Sequence, residues 1–394
     1  MDTDKIRQDF PIFKNDIIYL DSACMSLRPV QVIEAMDSYY YEFPACAGRS
    51  LHKLSKRVTE EVSESRKAVK NFINAKKEEE IIFTKNTTES INLIAKSFKF
   101  EKNDKIITSD KEHNSNLVPW LINKNINHLS IDSKKNHTFN LELFKENVKK
   151  AKLVAINYVS NLDGYIFPVK EIIKIAHENG ALVLLDAAQA APHREINVKK
   201  LEVDFLAFSG HKMLGPSGVG ILYGKYELLN NLNPFLVGGD TVKETWQDKF
   251  ILEDLPSRFE AGLQNYPGII GLKAAIDYIK RIGLNEIENY EEKLTRSLID
   301  GLNNIPGVNL IGYKGTESRS GVVSFALKKM NHHDIALLLN ETNSIMIRSG
   351  AHCVHSWFNK NNLEGSARAS IYFYNTKEDI MNFTEAVSNL TKLS

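Results

Sequence analysis

The chain is predicted to adopt an α/β fold, with a large, mainly parallel sheet of seven strands and a smaller C-terminal α/β domain. Three observations predict it. Seven short apolar runs alternate with segments of helical period; the pattern changes to long helices near Pro267; and polar residues stand at the ends of the apolar runs. In open sheets of this kind, ligands bind beyond the carboxyl ends of the strands.

The seven runs are IIFTKN, KIITSD, NHLSID, LVAINYV, LVLLDAA, FLAFSG and VGILYG, each bounded by turn residues. Several are apolar throughout, as strands covered on both faces must be. Between them, TTESINLIAKSF carries apolar residues at helical spacing after a threonine suited to cap it. VKEIIKIAHENG ends in the glycine expected just past a helix. From Pro267, GIIGLKAAIDYIKRIG and LNEIENYEEKLTRSLIDGLNNI read as long helices. The shorter strands GVNLIG, GVVSFAL, IMIRSG and ARASIYFY follow, then a terminal helix. The expected division is 15–266 for the large domain and 267–394 for the small one, with 1–14 packing alongside the latter.

Composition bounds the function. At 394 residues the chain is long enough for two packed domains and a buried site. With 43% hydrophobic residues, 25% charged residues and a net charge of +1, neither disorder nor a nucleic-acid surface is indicated. No segment has the apolar length of a membrane span, and the first residues lack the apolar core of a signal peptide, so the expectation is a soluble cytoplasmic protein. The three cysteines, Cys24, Cys46 and Cys353, are odd in number and far apart, which fits a reducing compartment. His352, Cys353 and His355 are too close in sequence to surround one ion, and no metal site is expected.

Chemistry is suggested by Asp186 at the end of LVLLD, Lys212 in FSGHK and His113 in SDKEH. A carboxylate ending an apolar strand is costly to bury unless it meets a cation or several donors. One solution is the protonated ring nitrogen of pyridoxal phosphate, with a nearby lysine holding the cofactor aldehyde covalently. The alternative for Lys212 is an ordinary solvent-facing loop lysine.

LDAAQA followed by SGHKMLGPSGVGILYG resembles the cofactor site of the class V aminotransferase superfamily, whose members are fold type I pyridoxal-phosphate transferases. Within it, the chain is similar to group II cysteine desulfurases, related to selenocysteine lyases. YLDSA, GRSLHKLS, FTKNTTESINLIA, EHNSNLVPW, YVSNLDG, RFEAG, IRSGAHC and RASIYFYNT carry the resemblance over nearly the whole length. The resemblance implies that Lys212 anchors pyridoxal 5'-phosphate, Asp186 bonds its ring nitrogen, Gln189 its phenolic oxygen, and His113 stacks on its face. It implies a phosphate cup of Thr87, Thr88, Ser209 and His211, with backbone N–H groups where the Thr87-Thr88 helix begins. Asn161 and Arg368 would fix the substrate carboxylate, and Cys353 would be the sulfur-accepting nucleophile, its thiol activated by the flanking His352 and His355.

The implied reaction converts L-cysteine to L-alanine, leaving a persulfide on Cys353 for an acceptor protein or small thiol, in a homodimer with shared active sites. The other readings are a selenocysteine lyase, a cysteine sulfinate desulfinase, an aminotransferase-like or epimerase-like enzyme on another amino acid, and a non-catalytic cofactor-binding module. Two departures stand out. Leu263 and Gln264 follow RFEAG where the family commonly has a threonine reaching the partner's phosphate, and Cys24 stands in DSACMSL where alanine is commoner. Two readings of Cys24 stand: that it and Cys46 are buried spacers, as free cysteines commonly are, or that Cys24 lies close enough to the Cys353 loop or the substrate to influence sulfur handling. Cys46, near Arg49 and His52, matches a loop bordering the family's active site.

Overall fold

A computed structural model describes residues 1–393. The seven apolar runs form one sheet. Its spatial order is Ile81–Thr84, Gly220–Gly224, Phe205–Ser209, Leu182–Asp186, Ala151–Asn157, Lys105–Ser109 and Asn127–Ile131. The last five strands in this order run parallel, while Gly220–Gly224 is antiparallel to both its neighbours.

The alternation of side chains explains why these strands are apolar throughout. Val154, Ile156, Val183, Leu185, Leu206 and Phe208 enter the core on one face, and Leu153, Ala155, Leu184, Phe205, Ala207 and Leu222 enter the core on the other. Burying each large aliphatic side chain contributes about 1.5–3 kcal/mol, so either face left uncovered would cost the sheet its stability.

The helix Thr87–Ser97 follows the first strand, but its cap is Asn86 rather than a threonine. The Asn86 side chain accepts a hydrogen bond from Glu89 N–H at 3.0 Å, which leaves the hydroxyls of Thr87 and Thr88 for other partners. Val169–Glu178 ends before Gly180, whose φ of +76° is left-handed, as the sequence pattern indicates.

A second sheet orders Val308–Ile311, Val322–Leu327, Ser366–Ser370 and Arg348–Gly350, all antiparallel. Its core takes Leu294, Leu298 and Leu302 from the helix Leu284–Asn303, and Ile380, Phe383 and Val387 from the helix Lys377–Leu393. The helix Tyr266–Ile282 instead packs Leu272, Ile276 and Ile279 into the core of the large sheet. Near the start of the chain, Ile18–Tyr19 pairs in parallel with Ile345–Met346, Asp21 bridges to Ser370, and Leu20 is buried in the second core. This strap carries Cys24 to the junction of the two sheets.

Candidate active site

The carboxyl ends of the central strands open on one cavity of about 230 Å³. Ten of the eleven residues given a cofactor, substrate or nucleophile role from the sequence line it: Lys212, Asp186, Gln189 and His113; Thr87, Thr88, Ser209 and His211; Asn161 and Arg368. The flagged Cys24 and His352 line it too. Cys353, the eleventh, lies beside it, next to the lining residue His352.

Lys212 sits in the turn Gly210–Lys212 at the end of Phe205–Ser209. Gly215 N–H returns to Gly210 carbonyl at 2.9 Å, and a Cβ on Gly215 would stand 2.9 Å from that same oxygen, so the close loop requires glycine there. Burial lowers the Lys212 ammonium from its ordinary value, against the opposing pull of Asp186. Burial likewise raises the Asp186 carboxyl, against the Lys212 charge and a hydrogen bond from Ala188 N–H at 2.9 Å. Gln189 is held by its own donation to Ala23 carbonyl at 2.7 Å. His113 is pushed down to about 3 by burial and by the positive charges of Lys212, Arg348 and Arg368. Its Nδ1 accepts from Ser115 N–H at 3.1 Å, so the ring is neutral with its proton on Nε2.

At one end of the cavity lies the start of the Thr87–Ser97 helix, whose dipole favours an anion. Ser209 Oγ accepts from Thr87 N–H at 2.9 Å and lies 2.6 Å from Thr87 Oγ1; Thr88 Oγ1 meets Ser115 Oγ at 2.7 Å. This end depends on Gly220, because a Cβ there would stand 2.5 Å from Asn86 Cα.

The opposite wall comes from the second sheet. Arg368, 1% exposed, donates from Nη1 to Asn161 carbonyl at 2.9 Å and from Nη2 to Asp21 at 3.3 Å, while its Nε has no partner. Asn161 donates to His352 carbonyl at 2.7 Å, and its buried Oδ1 has no partner either. Arg348, directly opposite Arg368 in the sheet, donates from Nη2 towards Cys353 Sγ at 3.6 Å. The cation beside the Cys353 thiol is therefore Arg348. His352 bonds Ser366 Oγ at 2.8 Å and is driven far below its ordinary value by burial and the two arginines, and His355 bonds Asn114 at 2.9 Å.

Sequence reasoning missed Arg348, Asn157 and Glu112. Arg348 lies in IRSGAHC, where a cation five residues before the thiol was the available signal. Asn157 pairs with Asp186 across the sheet, and its N–H donates at 3.1 Å to Glu112, a fully buried carboxyl pushed up to about 8 by burial. Four other flagged residues lie outside the cavity. Leu263 is 65% exposed, the Gln264 amide turns back on Ala261 and Gly262 carbonyls, Arg49 pairs with Asp240 at the surface, and Cys46 sits in a loop whose carbonyl accepts from Ser55. The described residues contain no group of three or more His, Cys, Asp or Glu side chains placed to hold a metal ion.

A mainly parallel sheet with a buried lysine and aspartate at its carboxyl edge, beside a helix terminus open to an anion, defines a fold type I transferase. A family model, Aminotransferase class-V, matches residues 18–383, and the chain belongs to that family. Similar proteins include a probable cysteine desulfurase from Pyrococcus abyssi, 41% identical over 98% of this chain and 97% of its own. Among solved structures, the apo cysteine desulfurase of Thermococcus onnurineus NA1 is 42% identical with a TM-score of 0.96, covering 99% of this chain and 98% of that one. The cysteine desulfurase CsdA of Escherichia coli, in its S-sulfonic acid form, is 32% identical with a TM-score of 0.93, covering 100% and 99% respectively.

Proposed function

We propose that this protein is a pyridoxal-phosphate-dependent cysteine desulfurase, which removes sulfur from L-cysteine, releases L-alanine and carries the sulfur on Cys353. The observation that carries the reading is the joint placement of Lys212 and Asp186 in one cavity with Arg348, which holds the Cys353 thiol at the cavity's edge. The cavity's residues fit the cofactor. Asp186 receives one backbone hydrogen bond and is buried without a bonded cation, and the anion cup has a helix terminus and three hydroxyls. Asp186 would face the ring nitrogen, Gln189 the phenolic oxygen and His113 the ring; Thr87, Thr88, Ser209 and His211 would hold the phosphate.

When bound, pyridoxal phosphate supplies an electron sink that acidifies the Cα proton and makes the substrate sulfur electrophilic. Lys212 would anchor the cofactor and move the Cα proton, its ammonium being lowered by burial. Arg368 would orient the substrate carboxylate through its partnerless Nε–H, with Asn161 beside it, whose partnerless Oδ1 is placed to accept from a substrate N–H. Neutral His113 can donate its Nε2 proton. Arg348, with Nη2 at 3.6 Å from Cys353 Sγ, would steady the sulfur that attacks the substrate sulfur; the substrate carbon–sulfur bond breaks with its electron pair left on carbon, and the sulfur stays on Cys353 as a persulfide.

The sulfur then passes to an acceptor protein or small thiol. A homodimer is part of this reading, supported by exposed apolar residues such as Leu51, Val237, Phe250 and Leu263. The cytoplasm is the compartment it assigns, in keeping with three free cysteines. Incubating the holoenzyme with L-cysteine tests the function. Alanine should form, and Cys353→Ala should abolish it with cofactor absorbance retained; a variant that still makes alanine from cysteine would refute the role of Cys353.

A further inference from the structure

Cys24 lines the same cavity, and Arg348 reaches it too: Nη1 lies 3.1 Å from Cys24 Sγ while Nη2 lies 3.6 Å from Cys353 Sγ. Two thiols 329 residues apart in sequence thus share one guanidinium. Both are partly exposed and neither is in a disulfide. The surroundings hold them in place. Cys24 N–H donates to Asp21 carbonyl at 3.0 Å, and Cys353 carbonyl accepts from Asn114 N–H at 2.7 Å. His352 and Cys353 both adopt left-handed backbone angles, φ +50° and +60°, a conformation uncommon for such residues that persists only where neighbours enforce it. Beside the pair, the buried Asn161 Oδ1 and Arg368 Nε have no partners and line the same space, so the thiols border a site built to receive a polar ligand.

From this geometry we infer that Cys24 is a second sulfur carrier, which takes the outer sulfur of the Cys353 persulfide within the active site. The inference rests on the desulfurase reading above. The Cys24 thiolate attacks the outer sulfur; the bond from that sulfur to Cys353 breaks as the bond to Cys24 forms. The electron pair remains on Cys353 as a thiolate, and the outer sulfur keeps its proton. No oxidant or reductant is consumed, since one sulfur–sulfur bond replaces another. Arg348 is placed for both ends of the exchange, with one nitrogen at the attacking thiolate and the other at the leaving one. Cys353 is then free to accept sulfur from another substrate before any external acceptor arrives.

The test is a burst experiment on the holoenzyme with a few equivalents of L-cysteine, without reductant or acceptor, followed by alkylation and peptide mass mapping. If each thiol stores one sulfur, the wild type should release about two alanines per active site, with persulfide on both Cys24 and Cys353 peptides. Cys24→Ser and Cys24→Ala should cut the burst about two-fold, with all the sulfur on Cys353, while Cys46→Ser should leave it as in the wild type. In Cys353→Ala no sulfur should reach Cys24. A wild-type burst of about one with sulfur on Cys353 alone, or a Cys24–Cys353 disulfide formed with release of sulfide, overturns the inference. Mapping of the wild type decides the matter even if the Cys24 variants fold poorly. Failure of the underlying reading looks different: the wild type makes no alanine, or Cys353→Ala still makes it.

Discussion

Lys111 directly precedes Glu112 and His113, and its ammonium is fully buried against Asp163, also fully buried, at 2.5 Å. Lys111 also donates to His137 carbonyl at 2.6 Å, and Asp163 accepts from Tyr313 N–H at 2.8 Å, so the pair ties the His113 loop to the segment just after Val308–Ile311 of the second sheet. Burial alone would raise the Asp163 carboxyl, but the Lys111 charge, its hydrogen bond and Tyr313 N–H hold it below its ordinary value. Lys111→Met keeps the length of the side chain and removes the charge, leaving a buried carboxylate uncompensated. Removing one partner of such a pair costs about 3–5 kcal/mol. For a chain of 394 residues, an unfolding entropy of about 2.1 cal/mol/K per residue gives about 0.8 kcal/mol per degree, so Tm should fall by about 4–6 °C. Calorimetry of the holoprotein at neutral pH measures it. The double variant Lys111→Met/Asp163→Asn, which removes the stranded charge but keeps an acceptor for Tyr313, should recover at least half of the loss. A fall below about 1 °C for the single variant, or a double variant less stable than the single, would refute the reasoning.

Three further outcomes follow from the site. Glu112, raised to about 8, keeps its proton in the fold and loses it on unfolding, so its stabilising contribution is complete below the ordinary value of 4.5 and is lost as pH climbs to about 8. Glu112→Gln abolishes that titration; its Tm relative to wild type should rise from about pH 5 to about pH 8, and a constant difference would contradict the assignment. Gly220→Ala forces a methyl group against Asn86 backbone, and should cost about 1–3 kcal/mol of stability and weaken cofactor binding at least about ten-fold, by fluorescence titration, through displacement of the helix terminus. Asp186→Asn removes the charge facing the cavity at nearly unchanged volume, and should slow Cα–H exchange of bound amino acid, followed by NMR in deuterium oxide, by about 100-fold or more; a loss under about three-fold would exclude an electrostatic role.

The large sheet was legible because each strand is buried on both faces, and a run such as LVLLD has no other stable use. The ten cavity residues were legible through short motifs whose order the fold preserves. Arg348 and Glu112 were not, for different reasons. The direction of Arg348 is set by the pairing of Arg348–Gly350 with Ser366–Ser370, a register that no local pattern encodes. The role of Glu112 depends on burial: in sequence it is one acid among many, and only its enclosure in the fold raises it, against the hydrogen bonds it accepts from Ser109, Asn116 and Asn157. The threonine cap was misread because Asn86 and Thr87 are adjacent and both residue types can cap; the strand's closing geometry selected the asparagine. The hairpin Val242–Thr245 with Phe250–Leu252 escaped notice because both strands are short and largely exposed, and the apolar run Phe250–Leu252 is too brief to read as a strand.

The early strap, Ile18–Tyr19 on Ile345–Met346 with Leu20 sunk in the second core, joins Cys24 to the sheet that carries Arg348. On either side of Cys24 the strap is also fastened to the edge that carries Lys212 and Asp186, by Gln189 on Ala23 carbonyl and by Ser26 N–H on His211 carbonyl. Clamped from both walls, this sulfur has its distance to the reacting carbon set by two cores at once, so loosening either anchorage would shift it.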